Sequence, residues 1–201
     1  MQIQERRKEL MATKNIMIVG VGGQGTLLAS KLLGCVLLEQ GYDVKVSEVH
    51  GMSQRGGSVV TYVRFGEKVY SPVIDRGEAD IIVSFEKLEA ARWLEYLKPG
   101  GQIIMNTQEV DPMPVITGAA EYPGQLVEKL KAAGAKVDAK DFLTIAESAG
   151  SAKAVNIALM GRLSNYFPEI SNEEWQKAIE ACVPQKFLDL NRKAFEMGRS
   201  A

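Results

Sequence analysis

An α/β fold of three layers, built on a mainly parallel sheet with a helical C-terminal portion, is predicted by three observations. A short, continuous apolar run at residues 15–20, Asn-Ile-Met-Ile-Val-Gly, has the character of a strand buried on both faces and leads straight into glycines. Over residues 25–40 the apolar positions Leu27, Leu28, Leu32, Leu33, Val36 and Leu37 recur with helical spacing, and Gly41 supplies a stop. Residues 44–49 are strand-like again, so strand, helix and strand follow in order, and a right-handed crossover makes the two strands parallel.

The remaining elements follow from local composition. His50-Gly51-Met52-Ser53-Gln54-Arg55-Gly56-Gly57 is too glycine-rich for a regular element and reads as a loop, whereas residues 58–65 are dense in β-branched and aromatic side chains and read as a strand. Residues 81–84 form a further strand, 87–97 a helix stopped by Lys98-Pro99-Gly100-Gly101, and 102–106 the next strand. Prolines 112, 114 and 123 interrupt regular structure before a helix at 125–133 and a short strand at 136–137. The last third is helical: a turn at 141–147, a long amphipathic stretch at 151–166, a helix opened by the capping box Ser171-Asn172-Glu173-Glu174, and a final helix after Pro184. With no internal repeat and no linker, this helical tail is expected to pack on the same sheet. Residues 1–14 are a charged N-terminal extension, and residues 15–201 form one domain.

Composition narrows the function classes. A length of 201 residues fits one domain, and 46% hydrophobic with 24% charged residues is globular rather than disordered composition. The formal net charge of -1 removes the broad positive field of a nucleic-acid or membrane-surface binder. No apolar run approaches the roughly 20 residues that span a bilayer, and residues 1–14 have no apolar core of a secretory signal. Cys35 and Cys182 are the only thiols, too few for a disulfide framework or for an iron–sulfur cluster, which commonly takes four thiolates, so a reduced cytoplasmic setting is expected.

Two segments carry chemistry. Gly20-Val21-Gly22-Gly23-Gln24-Gly25 fits G-x-G-x-x-G, after a strand and opening a helix, so its backbone can turn tightly and bring amides to an anion at the positive helix end. Taken alone, the motif fits a free-standing NAD(P)-binding or flavin enzyme, with Glu48 near the position of a ribose-binding acid, or a bare strand-to-helix turn. The second segment, Ser47-Glu48-Val49-His50-Gly51-Met52-Ser53-Gln54-Arg55-Gly56-Gly57, gathers an acid, the sole histidine and an arginine at a strand's carboxyl end, where open α/β sheets bind ligands. Arg55 beside two glycines is a candidate anion anchor, since a guanidinium grips phosphate or carboxylate in a bidentate fork.

Other constellations fail. One histidine and two distant cysteines give no zinc spacing, Thr26 stands where a P-loop needs lysine, and no G-x-S-x-G elbow occurs. The charges of Glu86-Lys87-Leu88-Glu89-Ala90-Ala91-Arg92 read as a solvated or interface surface.

Together these segments, followed by Val63-Arg64-Phe65-Gly66, Tyr70-Ser71-Pro72 and Ala79-Asp80-Ile81-Ile82-Val83-Ser84-Phe85-Glu86, resemble the gamma-type domain of the 2-oxoacid:ferredoxin oxidoreductases, with the wording of residues 50–57 nearest to the branch that acts on aryl 2-oxoacids. The resemblance covers residues 15–161 and implies a Rossmann-like domain that is a subunit of an enzyme rather than an enzyme complete in itself, which displaces the NAD(P) reading of Gly20, Gly22, Gly23, Gln24 and Gly25. It implies thiamine diphosphate, magnesium and 4Fe–4S clusters in a large alpha subunit, ferredoxin as electron acceptor, and CoA as co-substrate. The glycine turn, Glu48, His50 and Arg55 are then expected to face that partner and the CoA, and the isolated chain to be inactive and to pair as a homodimer.

Overall fold

The structure, a computed structural model, describes residues 13–49 and 57–201. Strand β1 (Lys14–Val21) is buried at seven of its eight positions, with Ile16 and Ile18 on one face of the sheet and Met17 and Val19 on the other. Such two-sided burial is what an unbroken apolar run requires. Helix α1 (Thr26–Glu39) follows. It ends in a Schellman turn: Gly41, at φ +81°, donates its N–H to Leu38, and the Tyr42 N–H reaches back to Leu37.

Strands β2 (Asp43–Val49), β3 (Ser58–Gly66), β4 (Ala79–Ser84), β5 (Leu97–Asn106) and β6 (Lys136–Lys140) complete a six-stranded sheet of order β2-β3-β1-β4-β5-β6. Strands β1, β4, β5 and β6 are parallel neighbours, and β3 runs antiparallel to both β1 and β2. The crossover does make β1 and β2 parallel, but they are not neighbours. β3, apolar toward both faces, returns between them and pairs with β1 from Lys14↔Phe65 to Val21↔Ser58.

Helices α2 (Lys87–Arg92), α3 (Met113–Ile116), α4 (Leu126–Ala132), α5 (Phe142–Ala149), α6 (Val155–Ser164), α7 (Asn172–Cys182) and α8 (Leu188–Ser200) make up the outer layers. Side chains of α1 and α5 to α8 close one face over Ile16, Ile18, Val63 and Ile104, while Ala90 of α2 and Leu130 of α4 close the other over Met17, Val19, Ile82 and Ile103. The helical tail therefore packs on the same sheet.

Three local expectations are corrected. The helix expected over 87–97 stops at Arg92 and continues as a 3₁₀ turn at Leu94–Tyr96. Pro99-Gly100-Gly101 is taken into β5 at an irregularity, where the pairing steps from Ala79↔Leu97 to Ile81↔Gln102. Helix α6 is not amphipathic: nine of its ten residues are buried, because the sheet lies on one side and α8 on the other. The capping box is present as expected, with Ser171 and Glu174 exchanging side-chain and backbone bonds at the start of α7.

Asp43, at the start of edge strand β2, ties down the turn after β3 by accepting the Val69 N–H at 2.9 Å. The Lys45 ammonium first, and the Val69 amide second, hold its carboxyl well below the ordinary range, at about 2. A depressed native pKa adds stability that is complete above the unfolded value of about 4 and is lost as pH falls through the native one. The urea midpoint of Asp43→Asn should therefore lie below wild type near neutrality, and the difference should shrink from about pH 4 downward. A difference that ignores pH contradicts this role.

Candidate functional site at the strand switch point

Helix α1 leaves β1 toward one face of the sheet and α2 leaves β4 toward the other, so the crevice at the carboxyl ends of β1 and β4 is the topological switch point, where open α/β sheets bind ligands. The glycine motif turns here. Gly23 and Gly25 take left-handed backbone, φ +103° and +88°, which explains glycine at both positions. Gly25 is the N-cap of α1 and no side chain caps it, leaving that helix end receptive to negative charge.

The Gln24 side chain reaches across the crevice. Its Oε1 accepts the Val21 N–H at 2.7 Å, and its Nε2 donates to the Phe85 carbonyl and to Gln108 Oε1, each at 3.4 Å. Asn106, fully buried at the end of β5, donates to the same carbonyl at 3.3 Å and accepts the Phe142 N–H at 2.9 Å. From the other side, Asn156 of α6 donates to the Gly25 carbonyl at 3.3 Å, and its Nδ2 stands only 2.6 Å from where a Cβ on Gly25 would lie. The turn is thus bolted to β4, β5 and α6 by side-chain amides. Of these, sequence reading singled out Gln24 alone; Asn106, Gln108 and Asn156 carried no motif, and only the placement of Asn106 at a strand's carboxyl end hinted at a role.

The last residue of the second segment lies at the turn: the Gly22 N–H donates to the Gly57 carbonyl at 2.8 Å. Ser58, the next residue, hydrogen-bonds Glu89 of α2, which also accepts from Arg92 Nε at 3.1 Å. Glu48 lies on β2 with its carboxylate 3.3 Å from Ser30 Oγ of α1. Because β3 intervenes, β2 runs about 10 Å from β1, two strand spacings away. His50 and Arg55 lie outside the described residues.

Glu86 and Glu89 do not lie on the solvated or interface surface expected of them but are buried within the chain itself, at 1% and 4% exposure. Glu86 Oε1 accepts from the Tyr122 hydroxyl and from Val110 N–H at 3.2 Å, and Oε2 caps α2 at the Glu89 N–H, 2.9 Å away. Burial first, and the bond to Glu86 second, raise the Tyr122 pKa, so the phenol stays a donor. These bonds hold the loops after β4 and β5 around the crevice. A cavity of about 810 Å³ lies at the opposite, amino-terminal end of β1 and β4, lined by Lys14, Tyr42, Phe65, Asp80 and Phe167, away from these groups. Among the described residues no cluster of His, Cys, Asp and Glu could hold a metal ion, and no helix is long and apolar enough to cross a membrane.

Comparison with known proteins agrees with this geometry. The family model described as pyruvate ferredoxin/flavodoxin oxidoreductase matches residues 15–201. The indolepyruvate oxidoreductase subunit IorB of Thermococcus kodakarensis is 46% identical over 95% of this chain and 96% of its own. From the same organism, the pyruvate/ketoisovalerate oxidoreductases common subunit gamma is 25% identical over 88% of this chain and 90% of its own. The pyruvate oxidoreductase subunit PORC of Thermotoga maritima shares the fold, with a TM-score of 0.72 at 23% identity over 94% of this chain and 96% of that one. The chain belongs to the pyruvate ferredoxin/flavodoxin oxidoreductase family and is of the small-subunit type found in 2-oxoacid:ferredoxin oxidoreductases.

Proposed function

We propose that this chain is the small subunit of an indolepyruvate (arylpyruvate):ferredoxin oxidoreductase, supporting CoA-dependent oxidative decarboxylation of aryl 2-oxoacids to acyl-CoA with reduction of ferredoxin in the cytoplasm. The observation that carries the aryl assignment is the contrast within one organism, 46% identity to an indolepyruvate subunit against 25% to a pyruvate/ketoisovalerate subunit. A free-standing NAD(P) dehydrogenase is not favoured. The relatives are named as oxidoreductase subunits, and the Gln24 side chain is committed to hydrogen bonds with Val21 and Phe85 at the glycine turn.

In this reading a large alpha subunit holds thiamine diphosphate, magnesium and the 4Fe–4S clusters, and ferredoxin docks on the complex. This chain contributes the turn Gly20, Gly22, Gly23, Gln24 and Gly25, with Glu48, His50 and Arg55 on the neighbouring segment, as the surface that meets the partner and the CoA. The uncapped start of α1 supports an anion there, and Arg55 would supply the matching guanidinium fork. Without the partner, the exposed surface favours self-association as a homodimer.

Arg55 tests the site. A charge-assisted bond contributes roughly 1.5–3 kcal/mol, about tenfold or more in an equilibrium constant, whereas an exposed turn arginine contributes almost nothing. In the reconstituted complex, Arg55→Ala should leave the fold intact and either raise the KM for CoA by about tenfold or weaken subunit association to a similar degree. Wild-type behaviour in both would show that the loop is only a structural turn.

A further inference from the structure

Cys35 of α1 and Cys182, the last residue of α7, are 147 positions apart in sequence, yet their sulfurs lie 3.4 Å apart in the fold. Both are free thiols. The Cys182 thiol donates toward the Cys35 sulfur. Burial first, and that bond second, raise the Cys182 pKa, with Lys31 opposing and Glu39 adding to the shift, so Cys182 stays protonated near neutrality. Cys35 is half-buried and Cys182 buried, so Cys35 is the sulfur a small oxidant reaches first.

We propose that Cys35 and Cys182 form a reversible dithiol–disulfide site that staples α1 to α7. A disulfide needs S–S near 2.05 Å, so the sulfurs must close by about 1.4 Å. The α1 side is fixed by the buried Leu32, Leu33 and Val36. The closure falls on Cys182, where α7 ends and the chain leaves through Val183 and Pro184. Hydrogen peroxide is the oxidant. Its oxygen converts the Cys35 thiol to a sulfenic acid with loss of one water. The Cys182 sulfur then attacks that sulfur, the S–S bond forms as S–O breaks, and a second water leaves with the thiol proton. Overall, two thiols give two electrons and two protons to the peroxide, yielding one disulfide and two waters. The oxidised form pins the helix that opens from the glycine turn, placing a covalent tie behind that turn.

The purified chain is treated with hydrogen peroxide while folded, then alkylated in denaturant and digested. The expected product has lost two hydrogens, carries no alkyl group and yields a Cys35–Cys182 linked peptide. Its Tm rises by about 5 °C or more, since a cross-link closing so long a loop restricts the unfolded chain strongly, and dithiothreitol reverses both changes. Cys35→Ser and Cys182→Ala should each abolish the linked peptide and the rise. The proposal is overturned if the wild-type chain remains dithiol, gains oxygen at one cysteine without linkage, or links only between molecules.

Discussion

Replacing Gly198 with alanine should destabilise the chain by about 3 kcal/mol or more, with Gly161→Ala close behind, because both glycines lie where α6 and α8 touch backbone to backbone. A Cβ on Gly198 would lie 2.0 Å from the Ala158 carbonyl oxygen and 2.6 Å from its carbon. A Cβ on Gly161 would lie 2.1 Å from the Phe195 carbonyl oxygen and 3.0 Å from the Arg199 nitrogen. In each case the obstacle is main chain, which cannot rotate away as a side chain can. Relief requires the helices to separate, and that would loosen the buried ring cluster of Phe167, Trp175 and Phe195. Gly124, where a Cβ would meet nothing within 4 Å, is the control and should change stability little on substitution by alanine. Denaturant unfolding of the three variants checks this; equal midpoints for all would mean that the helices do not meet at the glycines.

Glu86→Ala should cost about 3–5 kcal/mol, since it leaves three donors facing a buried gap: the Tyr122 hydroxyl and the amides of Val110 and Glu89. Each unpaired buried donor costs roughly 1–3 kcal/mol, and the N-cap of α2 disappears with them. Glu86→Gln keeps an acceptor and should lose much less. Loss of stability should be accompanied by faster amide exchange at Val110 and Glu89, which report the loosened loops. A Glu86→Ala chain as stable as wild type would contradict the assigned bonds.

Much of the fold was legible because its signals are local. The run into Gly20, the helical spacing up to Gly41 and the Ser171 capping box each declare an element within a few residues. Strand order was not legible: the insertion of β3 between β1 and β2 is a long-range pairing that no window of sequence encodes. Burial of Glu86 and Glu89 was hidden for the same reason, since their partners Tyr122 and Val110 come from distant loops and Ser58 from the start of β3. At the site, the glycine turn and its contact with the end of the second segment at Gly57 were readable. The amides of Asn106, Gln108 and Asn156 were not, because ordinary polar residues acquire that role only from the strands and helix that bring them to Gln24 and Gly25.

Purified chain, assayed with indolepyruvate, CoA and a ferredoxin-like electron acceptor, tests the subunit assignment most directly, first alone and then with the large subunit loaded with thiamine diphosphate and magnesium. Alone it should oxidise neither indolepyruvate nor NADH, because thiamine diphosphate is assigned to the large subunit and the Gln24 side chain is tied across the glycine turn to Val21 and Phe85. With the partner, acyl-CoA formation and acceptor reduction should appear together and saturate at a fixed ratio of the two chains. Turnover by this chain alone, or a large subunit whose activity is unchanged by its addition, would contradict the assignment.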